Sequence, residues 1–360
     1  MSRLLPLTLQ AGVALARCLP PRLVITAGAA AGRFAGRLSS RRRIVAANLR
    51  AIQEAGEAWD RDSAAPPKSA AGSIPSVAAS SVAASSVAGS SAAASSVAAS
   101  SVAASSVAAS SRAAPSGAIS PGEVFASYGR YWAELLLLAA RPGWLDRQPL
   151  RLDGAEHLSA AAARGAVCAV SAHVGNWDLG ARWARRFLPG LAVVAERLEP
   201  PGLFAFFCRL RGREAGEVLA ADRGGAALFR RWRRGEHVAF LADRIFGRSA
   251  RAAPFLGRPR RFPSAGLDLA RRAGATIVPV FLVREAGGYV LRVHPPLPAE
   301  EDPVAAFARA LEQEVRRSPE QWCLLFPVFP LARERMTAGG QGDTSGRAAA
   351  RLAAPGGLGA

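Results

Sequence analysis

Apolar and polar positions fall along this chain in three regimes, each predicting a different kind of structure. Residues 4–38 are largely apolar but broken by Arg17, Pro20-Pro21 and Arg33, and Arg41-Arg42-Arg43 follow. The run lacks the roughly 20 unbroken apolar residues of a membrane-spanning helix. It predicts instead a pair of helices resting on an anionic leaflet, arginines at the surface. The small residues 27–31 leave a cleaved signal peptide as the alternative. Residues 63–120 carry a five-residue Ser-Ser-Val-Ala-Ala repeat between Ser80 and Ser111. That period fits neither helix nor strand, and Ser and Ala bury too little area to offset the ordering entropy. The stretch reads as a disordered insertion without a catalytic role.

Beyond it the patterning becomes regular. Ser120-Pro121-Gly122-Glu123 has the form of a capping box with proline at the first helical position. The helix it opens, 124–140, carries Phe125, Tyr128, Tyr131, Trp132 and Leu135 at helical spacing, read as core packing. Short apolar runs then alternate with helical patterns. Strands are predicted at 167–172, 191–195, 217–221, 237–242, 276–283 and 289–293. Helices are predicted at 178–187, 226–234, 264–273 and 303–317, with a turn-rich stretch up to Pro263. This alternation predicts an α/β fold, a central mixed sheet flanked by helices. The chain therefore divides into an N-terminal membrane-associated segment (1–62), the insertion (63–120), a catalytic domain (121–330) and a flexible tail (331–360).

Composition narrows the chemistry. The 360 residues carry a net charge of +19, from 46 basic and 27 acidic side chains, and Lys68 is the only lysine. Such a charge attracts anionic lipid headgroups, carrier phosphates or nucleic acid. No zinc-finger spacing or RNA-binding aromatic signature accompanies it, which disfavours nucleic acid. Cys18, Cys168, Cys208 and Cys323 include no CxxC pair, so a metal site is not expected, and no cofactor is implied. The single lysine lies in low-complexity sequence, and no GxSxG nucleophile elbow is present.

Several predicted strands end in a polar residue: 167–172 at His173, 191–195 at Glu196, 217–221 at Asp222, and 237–242 at Asp243-Arg244. Binding sites of α/β sheets gather beyond such carboxyl ends. His173 stands out because His173-Val174-Gly175-Asn176-Trp177-Asp178 lies between an apolar strand and a helix. On a continuous helix residues five apart would point about 140° apart. A turn at Gly175-Asn176 breaks that geometry and lets the Asp178 carboxylate approach the imidazole, as a general base requires.

The spacing His173-x4-Asp178 is the signature of the glycerolipid and lysophospholipid acyltransferase superfamily. Ser171 to Asp178 closely resembles the lipid A late acyltransferase family, which includes the actinobacterial phosphatidylinositol mannoside acyltransferases. Further stretches agree in order: Asn48-Leu49, Ala195-Glu196-Arg197-Leu198, Arg211, Ala242-Asp243-Arg244, Phe255-Leu256-Gly257, Leu269-Ala270 and Pro319-Glu320-Gln321-Trp322. Cys323-Leu324-Leu325-Phe326-Pro327 is nearer to the mannoside branch. The resemblance implies an acyltransferase that moves a fatty acyl group from acyl-CoA or acyl carrier protein to a hydroxyl of a membrane glycolipid, at the cytoplasmic face of the inner membrane. It implies His173 and Asp178 as the catalytic pair, with Asn176, Glu196, Arg211, Asp243 and Arg244 binding substrate. Arg260-Arg261 and the helix start near Ser264 are further candidates for phosphate contacts. The alternatives are transfer to a glycerophospholipid backbone, or a non-catalytic protein that binds anionic membranes.

Overall fold

The computed structural model describes residues 4–64, 119–214, 216–221, 225–245 and 249–329. Nearly all of the predicted insertion, the tail and Asp222 lie outside them. Three helices come first: α1 (Leu4–Cys18), α2 (Pro21–Leu38) and α3 (Arg42–Ala64). Proline at the start of α2 needs no amide donor there, so the break between α1 and α2 falls at Pro20-Pro21. Leu15, Leu23, Phe34 and Leu38 are exposed on this pair. No helix among the described residues is long and apolar enough to cross a membrane.

Helix α4 (Pro121–Ala140) begins with the predicted capping box, Ser120 and Glu123 each bonding the other's end of the first turn. It runs against α2 at backbone distance. A Cβ placed on Gly32 would lie 2.2 Å from the Phe125 carbonyl oxygen, and one on Gly129 would lie 2.1 Å from that of Gly28. Only glycine permits this approach. Gly32→Val should therefore force the two helices apart at a cost of about 1–3 kcal/mol, read as a lower melting temperature. An unchanged melt would show that α2 contributes nothing to the folded body.

The sheet follows, with β1 (Leu150–Asp153), α5 (Ala155–Arg164), β2 (Val167–Ser171), α6 (Trp177–Ala184), β3 (Ala192–Ala195), α7 (Pro201–Glu214), β4 (Val218–Ala220), α8 (Gly225–Arg233) and β5 (Val238–Leu241). A hairpin of β6 (Ala250–Phe255) and β7 (Arg258–Pro263) comes next, then α9 (Ala265–Arg272), β8 (Thr276–Glu285), β9 (Gly288–Val293) and α10 (Pro303–Arg317). Seven strands form one sheet in the order β1-β9-β8-β2-β5-β3-β4, and β6 and β7 form a second, two-stranded sheet. Pairing is parallel throughout the large sheet except between β8 and β9. The expected central mixed sheet is thus present.

Its inner strands are continuous apolar runs because both faces are covered. Along β2 the side chains alternate: Cys168 and Val170 face the core that includes Leu49, Leu228, Leu267 and Phe307. Val167 and Ala169 face the opposite core, with Leu135, Leu158, Leu179 and Phe207.

The stretch before Pro263 was expected to be turns and is instead the β6–β7 hairpin. Two of its prolines, Pro254 and Pro259, face each other across the ladder, tolerable in a two-stranded ribbon where each strand has a free edge. Leu256 and Gly257, both at positive φ (51° and 69°), make the tight turn that joins the strands.

Candidate active site

The register of the two central strands decides what meets at the sheet's carboxyl edge. Strand β2 pairs in parallel with β5, Ser171 opposite Leu241. Two residues further along each chain stand His173 and Asp243. The imidazole Nδ1 lies 2.7 Å from Asp243 Oδ1, and the His173 main-chain N–H donates to Oδ2 at 2.9 Å. The indole Nε1–H of Trp322 also donates to Oδ2, at 3.2 Å. Burial alone would raise the Asp243 carboxyl, but the charge of His173, its hydrogen bonds and the nearby Arg260 outweigh that and bring it down to about 2. Asp243 is therefore a carboxylate at any pH where the protein works. With Nδ1 committed to it, Nε2 is the imidazole nitrogen left to meet a substrate.

The turn carrying His173 is held from two sides. Gly175 sits at φ +64°, and a Cβ there would lie 1.9 Å from the Leu282 carbonyl oxygen. Its N–H donates to Gln321 O at 2.9 Å, and the Asn176 N–H donates to Leu282 O at 2.9 Å. The Cys323 N–H donates to His173 O at 2.8 Å. Asn176 caps α6 by accepting from the Leu179 N–H, and its amide donates to Glu134 on α4. Glu134 is in turn ion-paired with Arg284.

Asp178 does something other than expected. The turn does not bring its carboxylate to the imidazole. Oδ2 accepts from the Tyr131 hydroxyl at 2.7 Å, and Arg211 donates through Nε to Oδ1 at 2.5 Å. The reason is geometric: Asp178 lies in the first turn of α6, facing α4 and α7, while the imidazole points along the sheet edge toward β5. Burial would lower the Arg211 guanidinium, but Asp178 outweighs it and pushes it up. Burial and the Asp178 charge push the Tyr131 phenol well above its usual value, so it remains a donor. Trp177 stacks on Tyr131 with centroids 4.2 Å apart and meets His173 edge-on at 4.9 Å.

One cavity of about 900 Å³ gathers much of the predicted constellation, with His173, Asp178, Glu196, Arg211 and Arg244 in its wall. Glu196 and Arg244 are paired across it at 3.1 Å. Arg41 from the N-terminal segment joins the same wall. Two residues expected to bind substrate are placed elsewhere. Asn176 and Asp243 are 4% and 1% exposed, and their side chains are engaged within the protein as described. Arg260 and Ser264, candidates for phosphate, are also buried. The patterning of α4 gives Tyr131 only to the core and does not single out Glu134, and Trp322 enters only as a point of resemblance. A buried glutamate on an apolar helix face was the one available signal for Glu134.

Comparison with known proteins places this site in context. The family model described as bacterial lipid A biosynthesis acyltransferase matches residues 122–330. A phosphatidylinositol mannoside acyltransferase of Mycobacterium tuberculosis H37Rv is 34% identical over 215 residues, 56% of this chain and 68% of that enzyme. One from Mycolicibacterium smegmatis is 32% identical over 222 residues, 58% of this chain and 73% of that enzyme. Every site residue named above except Arg41 falls within the span of the family model.

Proposed function

The chain belongs to the bacterial lipid A biosynthesis acyltransferase family and is an acyltransferase; from that premise we propose that it moves a fatty acyl group from a thioester, acyl-CoA or acyl carrier protein, to a hydroxyl of a membrane glycolipid. The observation that carries this reading is the imidazole backed by a buried carboxylate at the wall of a cavity of about 900 Å³. The acceptor oxygen attacks the thioester carbonyl carbon while His173 Nε2 takes its proton. Asp243 fixes the tautomer and stabilises the imidazolium. The C–S bond then breaks, and the proton on Nε2 passes to the leaving sulfur. The products are an ester and a free thiol.

The cavity's composition supports the division of labour. Ala169, Ala181, Ala184, Val193, Ala239 and Val280 give it an apolar wall along the sheet, suited to an acyl chain. The Arg41, Arg244 and Glu196 region suits an anionic headgroup or carrier phosphate and sugar hydroxyls. Asp178, with Tyr131 and Arg211, braces α6 against α4 and α7, beside the imidazole. The exposed leucines and Phe34 of α1 and α2, with exposed Arg22, Arg33 and Arg37, support docking on an anionic leaflet, and a reaction that draws on thioester donors calls for the cytoplasmic face of the inner membrane. The similarity to phosphatidylinositol mannoside acyltransferases favours an acceptor of that type.

The test is transfer from radiolabelled palmitoyl-CoA, and separately palmitoyl acyl carrier protein, into host membrane lipids. Label in a glycolipid is the expected result and identifies donor and acceptor together. Label in a glycerophospholipid alone would overturn the proposed acceptor, and no labelled lipid with either donor would overturn the proposed reaction.

A further inference from the structure

Behind the His173–Asp243 pair lies a cation that faces neither solvent nor the cavity wall. Arg260, on β7 opposite Ala253, is 7% exposed. Its guanidinium lies 4.4 Å from the centroid of Phe262, 5.2 Å from Phe255 and 5.5 Å from Trp322. Nη2 donates to the main-chain carbonyl of Asp243. Nη1 is buried with no hydrogen-bond partner among the described residues. Aromatic faces attract a cation, yet they do not replace the hydrogen bonds that a buried guanidinium normally demands. A methionine would fill this box at less cost, so the charge calls for a use. The carboxylate that acts on it is Asp243.

We propose that Arg260 and Trp322 are positioning residues for the dyad: Arg260 anchors the end of β5 and places positive charge behind Asp243, while Trp322 occupies Oδ2 so that Oδ1 is left to His173. The proposal rests on the reading of His173 as the general base. Its chemistry follows from charge. When Nε2 takes a proton, Asp243 favours the imidazolium and Arg260 opposes it. The pair therefore gains a proton in one step and releases it to sulfur in the next. Burial lowers the Arg260 guanidinium to about 10, with Asp243 acting to hold it up, so it is charged at neutral pH.

Other groups share this space. Asp178 with Arg211, Glu196 with Arg244, Arg41 and the Cys323 thiol all line the cavity, as do the phenols of Tyr128 and Tyr131. Burial, together with Glu320 and Asp243, pushes Cys323 up to about 12, and both phenols are raised. These three stay neutral across the working range. Asp178 is paired with Arg211 and Glu196 with Arg244, and replacing Arg260 touches neither pair, so it changes the field at His173 with one sign only.

The experiment is the pH profile of kcat/KM for Arg260→Gln, which keeps a donor near the Asp243 carbonyl but loses the charge. Without the cation the imidazolium is favoured, so the acid limb should move to higher pH by about half a unit to one unit. Arg260→Lys should return the limb toward its wild-type position. A folded R260Q protein with an unmoved limb, or an R260K limb displaced as far as that of R260Q, would overturn the proposal. Should R260Q fail to fold, Trp322→Phe keeps an aromatic side chain in the box and removes the indole donor. The carboxylate then becomes more basic, and the limb should move the same way by a smaller amount; an unmoved limb there counts against the proposal equally. Activity retained by His173→Ala would instead sink the general-base reading itself, whereas an inactive His173→Ala with an unshifted R260Q would sink only the positioning role.

Discussion

His173→Ala is expected to lower kcat by about 10²–10⁴-fold, the usual contribution of a positioned general base, with little change in melting temperature. The His173 side chain is 21% exposed, so its removal opens no sealed cavity in the core. Nor does it strand a buried charge. Asp243 keeps the main-chain donor of residue 173, the Trp322 indole and the Arg260 cation. KM should move little, because the apolar wall and the arginines of the cavity remain. The check is single-turnover transfer alongside thermal melting. Activity within tenfold of wild type in a folded variant would remove the imidazole from the reaction.

The second large effect separates the two aspartates. In Asp243→Asn the Oδ2 position must still accept from the His173 main chain and from Trp322, so the amide oxygen stays there. Its NH2 group then faces Nδ1 as a donor. Nδ1 must accept, the ring proton moves to Nε2, and the imidazole presents the wrong tautomer for taking a proton. The same substitution in serine-hydrolase triads costs about 10⁴ in kcat, and a loss of about 10²–10⁴ in kcat is expected here. Asp178→Asn is different in kind. It leaves the Arg211 guanidinium, 16% exposed, without its carboxylate. Breaking one side of such a pair costs about 3–5 kcal/mol where burial is complete, and somewhat less at this exposure. D178N should therefore show first as a lower melting temperature, and D243N as a lost kcat in a protein that still folds. Equal kcat losses with unchanged melts for both would put Asp178 back beside the imidazole in function.

Much of the fold was legible because the inner strands are parallel and covered on both faces, and so stand out as apolar runs. Strands β2, β3, β5, β8 and β9 were found within a few residues for that reason. Strand β1 was not, because three of its four residues are exposed and it pairs only along one edge. The β6–β7 hairpin hid behind three prolines and four arginines, and α7 behind a proline-led stretch with aromatics and arginines intermixed.

The site was legible as a set of strand ends and illegible as a set of pairs. His173 and Asp243 were each recognised as polar residues closing a strand, but 70 positions separate them, and strand order is not written in either segment. Asp178, five residues from His173, looked like the natural partner because nearness in sequence is visible and nearness across a sheet is not. Once β2 and β5 are neighbours in register, the pairing follows from counting two residues past Ser171 and Leu241.

The clasp on the His173 turn has a consequence in time. The carbonyl of Gln321, the amide of Cys323 and the indole of Trp322 all close on the turn or on Asp243, and Asn48 of α3 in turn holds the carbonyls of Leu324 and Phe326. The imidazole and its carboxylate are thus made roughly 80 to 150 residues before the segment that clamps them. On the ribosome the sheet can be nearly complete while its reactive edge is still slack. On the proposed reading of His173 and Asp243, transfer competence then arrives as a late event, set by emergence of residues 321–326, after the strands that carry the pair are already made.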